Sequence, residues 1–214
     1  MWYFYVIICI TGYLLGSVNF ARVICKLKGV DISTMGSGNP GTMNMIRSMG
    51  LVWGILTLVL DALKGAIPTL LGSLIIGPEG MYAGGLCSVI GHVYPIWYSF
   101  RGGKGVATAI GVFAVTSPIY SLCLFPILII LLLIFKYGSA CNLVYLTALT
   151  IQQGLMYSQV LAVSILLFAM WVLVWYSHRE NIFRLISGKE HKTNLLKPIK
   201  KIKTTKNYSK TTDK

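Results

Sequence analysis

Three short polar stretches hold nearly all the residues able to do chemistry, and their composition suits the handling of anions. The first, Gly36 to Arg47, reads GSGNPGTMNMIR. Its turn, built from Gly38, Asn39 and Gly41, is small enough for backbone N–H groups to point inward at an anion. Ser37, Thr42 and Asn44 add neutral donors, and Arg47 stands three residues past Asn44, where its guanidinium would fork onto phosphate oxygens. A plain linker would need the glycines but neither Asn44 nor Arg47. The opening six residues match G-x-G-x-x-G, with Asp61 some 20 residues beyond Gly41. A dinucleotide site is excluded all the same, because no strand precedes the motif and Asp61 falls inside an apolar run.

The second stretch is GHVYPIWYSFRGGKGVAT, Gly91 to Thr108. Gly103 and Gly105 flank Lys104, which reads as a point charge on a phosphate, with Arg101 as its helper or an ordinary membrane-flanking charge. A Walker A loop would require Gly at 98 and Ser or Thr at 105, where this chain has Tyr98 and Gly105. The third stretch is HRENIFRLISGKE, His178 to Glu190. His178 and Asn181 share a helical face, and His178 is the one group near these loops that titrates close to neutrality, which suits it to position or deprotonate a hydroxyl. His92 reads instead as a structural hydrogen-bonder within an apolar segment.

The elements that must hold these stretches are apolar helices. Hydrophobic residues make up 55% of the 214 and charged ones 12%, and the mean hydropathy is +0.70; too little polar residue is present to cover a water-facing surface. Charge-free runs, each long enough to cross a hydrocarbon layer of roughly 30 Å, lead to an all-α, polytopic transmembrane bundle of about seven spans. These lie near 2–21, 51–76, 81–98, 105–116, 118–135, 140–157 and 159–177. With the N-terminus outside and the C-terminus cytoplasmic, Arg22, Lys26, Lys28, Arg47, Arg101, Lys104, Lys136 and Arg179 all fall on the cytoplasmic side, as the positive-inside rule requires. A five-span arrangement would throw Lys136 and Ser139 outside, and whether Ser117-Pro118 is a turn or a kink stays open. A signal peptide is the alternative for the first run, but no basic region precedes it and no small-x-small site closes it.

Asp61 and Lys64 lie three residues apart inside a span and read as an intrahelical pair holding that helix to its neighbours, with a direct role at the substrate as the alternative. The five cysteines show no CxxC spacing, so neither disulfides nor a metal site is expected. The chain carries a net charge of +13, much of it in residues 191–214, expected as a basic, disordered cytoplasmic tail beside a 1–190 membrane domain. The tail suits anionic lipid, and no nucleic acid partner is expected.

Taken in order, GSGNPGTMN with Arg47, GH-x-x-P followed by F-x-GGKGVAT, and HRENI-x-RL-x-x-G-x-E resemble the signature segments of the PlsY family, the acyl-phosphate-dependent glycerol-3-phosphate acyltransferases of bacteria. The similarity runs from about Leu14 to Glu190 and includes D-x-x-KG at Asp61 to Gly65. The resemblance implies transfer of an acyl group from acyl phosphate to the 1-hydroxyl of sn-glycerol 3-phosphate, giving lysophosphatidic acid and phosphate, in the bacterial cell membrane. It implies no cofactor and no metal, and an upstream phosphate acyltransferase as donor source. It makes Ser37, Arg47, His178 and Asn181 necessary for activity, gives Lys104 to glycerol 3-phosphate, and leaves Glu190 structural. Two positions depart from the family pattern. Asn19 stands where Pro is common, and Lys136-Tyr137-Gly138-Ser139 has Lys for Arg, although Ser139 remains a substrate-contact candidate.

A mixed anhydride already carries a good leaving group, so no covalent nucleophile is needed. The protein must hold two anions together and aim a hydroxyl at the carbonyl, with the proton passing to His178 or to a substrate phosphate oxygen. A transporter for a small anion is the rival of another class; no internal repeat supports it, and the polar groups gather on one side rather than at mid-membrane. An acyltransferase using acyl-CoA would carry His followed five positions later by Asp, whereas Trp97, Phe183 and Leu196 follow the three histidines.

Overall fold

A computed structural model describes residues 2–195, and among them the regular structure is entirely helical. The helices are α1 Trp2–Ser17, α2 Phe20–Leu27, α3 Thr42–Met49, α4 Leu51–Ile75, α5 Pro78–Val93, α6 Val106–Thr116, α7 Pro118–Phe135, α8 Gly138–Met156, α9 Leu161–Ser177 and α10 Arg179–Ile186. Proline opens α5 and α7, where its missing N–H has no helical partner to lose. Asn19 caps α2 by accepting the Arg22 N–H at 3.0 Å, and its amide donates to Pro40 O at 3.2 Å. The residue that departs from the family pattern therefore ties the start of α2 to the first polar loop.

Seven apolar helices, α1 and α4 to α9, overlap the seven expected intervals, although α1 ends at Ser17 and α5 runs Pro78–Val93 rather than 81–98. Length and composition are narrower in what they support. Among the described residues three segments, Trp2–Leu27, Leu51–Ile75 and Pro118–Phe135, are long and apolar enough to cross a membrane, with a fourth if α9 and α10, bent by 53° at their junction, count as one. Helix α6 has 11 residues and is about 16 Å long, roughly half a hydrocarbon thickness. Ser117-Pro118 is a turn and not a kink. The Ser121 hydroxyl donates to Phe113 O at 2.9 Å across eight residues, which a continuous helix would keep far apart.

Close backbone contact builds the bundle. A Cβ on Gly16 would strike the backbone of Ser88, one on Gly65 the Thr108 carbonyl, and one on Gly111 the Ala62 carbonyl. Small residues thus let α1 meet α5 and α4 meet α6 nearly backbone to backbone, the usual route to helix association where lipid supplies no hydrophobic drive. The larger core joins α5 to α9 through Val89, Val112, Leu149, Val163 and Leu167, and a smaller one around Cys25, Ile32, Met45 and Met49 underlies the first polar loop. Outward-facing Leu74, Leu122, Ile134 and Phe168 are more than half exposed, a surface suited to acyl chains rather than water.

Lys64 lies 2.8 Å from Asp61 and donates to Val18 O at 2.6 Å. That carbonyl follows the end of α1, so the ammonium satisfies a helix terminus and joins α4 to α1. Of the stretch read as a tail, residues 191–195 lie against the bundle. Thr193 is buried, and its N–H donates to Lys136 O at 2.8 Å. The remainder, 196–214, lies outside the described residues.

Candidate active site

The first polar loop closes on itself. Gly36 and Gly38 take φ of 56° and 70°, in the left-handed region that glycine enters without steric cost. Asn44, 1% exposed, accepts the Ser37 N–H and donates to Met35 O, both at 2.9 Å. Gly38 N–H goes to Met35 O and Gly41 N–H to Asn39 O. The N–H groups of Ser37, Gly38 and Gly41 are therefore engaged within the loop, and Asn44 is a clip rather than a substrate donor. The reason is general: a loop packed over its own small core must pair its N–H groups. Gly38 accordingly stands behind the cavity, whereas Ser37, Asn39, Gly41, Thr42 and Arg47 line it. Arg47 Nη2 donates to Ser37 Oγ at 3.2 Å and Nη1 to His191 O at 3.4 Å. Thr42 Oγ1 has no hydrogen-bond partner among the described residues.

The second loop is also tied down by its backbone. Gly102 N–H donates to Val93 O and Gly103 N–H to His92 O, each at 3.1 Å. Gly103 offers its side of the loop to α5, and Lys104 alone reaches forward, its ammonium donating to Asn181 Oδ1. Burial pulls the Lys104 pKa down to about 8; the neighbouring Arg184 and Arg47 add to the shift, and Glu190 opposes it.

His178 occupies the break between α9 and α10 and is 2% exposed. Its Nδ1 is 2.8 Å from Val174 O, which makes Nδ1–H the donor and leaves the Nε2 lone pair available. Burial depresses its pKa to about 4; the Val174 contact works against the shift and Lys104 with it. Asn181 turns its Nδ2 to Glu190 Oε1 at 2.6 Å. The same oxygen accepts from Ser139 at 3.0 Å, and Oε2 accepts from Arg184 Nε at 2.9 Å. Burial would raise the Glu190 carboxyl, but the bonds from Asn181, Arg184 and Ser139 together hold it below its ordinary value. Glu190 thus joins α8, α10 and, through Asn181, Lys104.

These side chains meet at one cavity of about 630 Å³, bordered by Ser37, Arg47, Lys104, Ser139 and His178 at its polar part. The rest is apolar, walled by Leu58 of α4, Ile110 of α6 and Phe125, Ile129 and Leu132 of α7. Sequence reasoning did not single out these apolar positions, since a greasy wall carries no motif. It also missed Leu195 as part of the wall, and the placing of Asp61 and His92 at its edge.

A family model described as Glycerol-3-phosphate acyltransferase matches residues 6–188. The chain belongs to this family. Among glycerol-3-phosphate acyltransferases, that of Aquifex aeolicus is 43% identical over 187 residues, covering 86% of this chain and 96% of the relative. That of Geotalea daltonii is 40% identical over 193 residues, with 87% and 96% covered. Two crystal structures of PlsY, an integral membrane glycerol 3-phosphate acyltransferase, superpose on this fold at 38% identity. The glycerol 3-phosphate form has a TM-score of 0.82 over 88% of this chain and 94% of that one. The lysophosphatidic acid form has 0.81 over 90% and 96%. The glycerol-3-phosphate acyltransferase family thus accounts for the bundle and makes this chain an acyltransferase of lipid biosynthesis.

Proposed function

We propose that this acyltransferase takes its acyl group from acyl phosphate and delivers it to the 1-hydroxyl of sn-glycerol 3-phosphate, releasing phosphate and lysophosphatidic acid. The observation that carries the reading is the single cavity in which Arg47, Lys104, Ser37 and Thr42 adjoin an apolar groove between α4, α6 and α7. Two phosphates need fixed cations beside them, and an acyl chain needs a dry groove leading away. Relatives crystallised in glycerol 3-phosphate and lysophosphatidic acid forms support the same acceptor and product.

Arg47 and Lys104 hold the two anions against their mutual repulsion, and Ser37 and Thr42 add neutral donors. The acceptor oxygen attacks the acyl carbon, the bond from that carbon to the phosphate oxygen breaks, and inorganic phosphate leaves with the electron pair. His178 Nε2 orients the hydroxyl. With its pKa pulled to about 4, the imidazole is a weaker base than a substrate phosphate oxygen, whose second pKa is about 6, so the proton goes to phosphate. Ser139 lines the cavity, while Asn181 stands behind the lining; both are bonded to Glu190, and Asn181 accepts the Lys104 ammonium.

In this reading the protein spans the bacterial cell membrane seven times, with its N-terminus outside and the site at the cytoplasmic face. An upstream phosphate acyltransferase provides the donor. Purified protein is offered labelled glycerol 3-phosphate with acyl phosphate, with acyl-CoA, or with no donor. Lysophosphatidic acid is expected with acyl phosphate alone. Equal product from acyl-CoA overturns the donor assignment.

A further inference from the structure

Three buried ionisable groups lie at or behind the cavity wall without a part in the reaction: Asp61 and Lys64 of D-x-x-KG, and His92 of GH-x-x-P. We propose that His92, braced by the Asp61–Lys64 pair, is a positioning residue that sets where the Gly102–Gly103 turn delivers the Lys104 ammonium.

His92 grips the turn twice. Its carbonyl takes the Gly103 N–H at 3.1 Å, and the next carbonyl, Val93 O, takes the Gly102 N–H at 3.1 Å. Both lie in the last turn of α5, where carbonyls have no helical partner and must find one outside. The side chain makes the second hold. A Cβ added to Gly103 would run into His92 Nε2, so the imidazole lies directly against the glycine before Lys104 and leaves no space for the turn to settle inward.

The ring is itself backed by charge. His92 Nδ1 is 3.8 Å from Asp61 Oδ1, too far for a hydrogen bond but close enough for the carboxylate to favour an N–H on that nitrogen. Asp61 lies 2.8 Å from Lys64, and Lys64 is held by Val18 O at 2.6 Å. The Lys64 carbonyl in turn accepts the Ser88 hydroxyl of α5 at 2.7 Å. A continuous set of contacts therefore joins α1, α4 and α5 to the Lys104 turn. Asp61, Lys64 and His92 are 0%, 3% and 3% exposed, which leaves them almost no surface for a substrate even where Asp61 and His92 reach the edge of the cavity. Whatever they contribute to binding passes through Lys104.

This inference rests on the reading of Lys104 as a phosphate holder. The test measures glycerol 3-phosphate affinity by calorimetry, which needs no acyl donor, so an error about the donor leaves it intact. His92→Ala is compared with wild type, and again in a Lys104→Ala background, with kcat measured alongside. Loss of affinity by about tenfold, with kcat changed less than about threefold, is expected in the first comparison, and less than about twofold further loss in the second. A similar loss in both backgrounds, or a loss confined to kcat, overturns the proposal. Should His92→Ala fail to give monodisperse protein, His92→Asn keeps an amide near Asp61 but leaves Gly103 unsupported, and is read the same way. Gly103→Ala, which presses on the ring from the other side, provides a third reading of the same loss.

Discussion

At the scale of single residues, the site separates charge that binds from groups that aim. In the proposed reading Lys104 presents its ammonium to phosphate from a turn whose Gly102 and Gly103 N–H groups are engaged, so its loss removes that contact together with the bond to Asn181 Oδ1. Lys104→Ala is expected to raise KM for glycerol 3-phosphate far more than it lowers kcat, by about tenfold against less than about threefold. Equal KM values with a collapsed kcat would move Lys104 from binding to chemistry. Its pKa of about 8 adds a pH dependence. The ammonium holds phosphate only while protonated, so in the free enzyme affinity is full below pH 8 and declines as pH rises through it. A limb in kcat/KM near that pH, absent from Lys104→Arg, is the expected signature. His178→Ala and Asn181→Ala should each cut turnover by about 10² or more, and the double variant should lose little beyond either single one because the two act as a unit. Asn181 also receives the Lys104 ammonium, so its variant should raise KM as well. With His178 neutral above a pKa of about 4, no imidazole limb is expected near pH 6.5. One that disappears in His178→Ala would restore the imidazole as the base.

At the scale of elements, glycine placement decides which helices may touch. Gly65 of α4 lies against the Thr108 carbonyl of α6, whereas a Cβ on Gly154 of α8 meets nothing within 4 Å. Gly65→Ala must therefore push α4 from α6 and should lower the midpoint of thermal unfolding clearly. Gly154→Ala should leave that midpoint unchanged or raise it, since alanine is favoured by about 0.5–1 kcal/mol inside a helix. Similar effects from the two substitutions would contradict the packing. The pair is informative because α4 supports both Asp61 and the apolar wall of the cavity. The sequence sets Gly65 in D-x-x-KG and Gly154 in no motif, but neither setting says what the glycine packs against. Only the approach of another helix does so.

For the whole molecule, the three polar stretches converge at one end of the bundle although more than 140 positions separate Ser37 from His178. Their side of the membrane is a matter of charge: Arg101, Lys136 and Arg179 flank the ends of α6, α7 and α9, while the loop at Gly77-Pro78-Glu79-Gly80 has no cation. A single cysteine introduced at Lys189 should be labelled by an impermeant thiol reagent only after the cytoplasmic face is opened. One introduced at Glu79 should be labelled in intact cells, both in a background cleared of the five native cysteines. The reverse pattern would invert the orientation.

Much of this could be read from residues alone. Apolar runs and their spacing led to an all-helical bundle, since no other backbone arrangement of such composition satisfies its N–H and C=O groups in lipid except a closed barrel. The three motifs led to the family and to Ser37, Arg47, Lys104, Ser139 and His178 around one cavity, because side chains that must meet charge are chemically distinctive. Tertiary structure decided the rest. It turned Asn44 into a clip and engaged the N–H groups of Ser37, Gly38 and Gly41, since a packed loop pairs its own backbone first. It joined Glu190 to three donors and brought His92 against Gly103. It assembled the apolar wall of the cavity from Leu58, Ile110 and Phe125, which differ from dozens of other apolar residues only in what lies opposite them. Contacts of that kind depend on how helices distant in sequence approach, and local spacing carries no record of that approach.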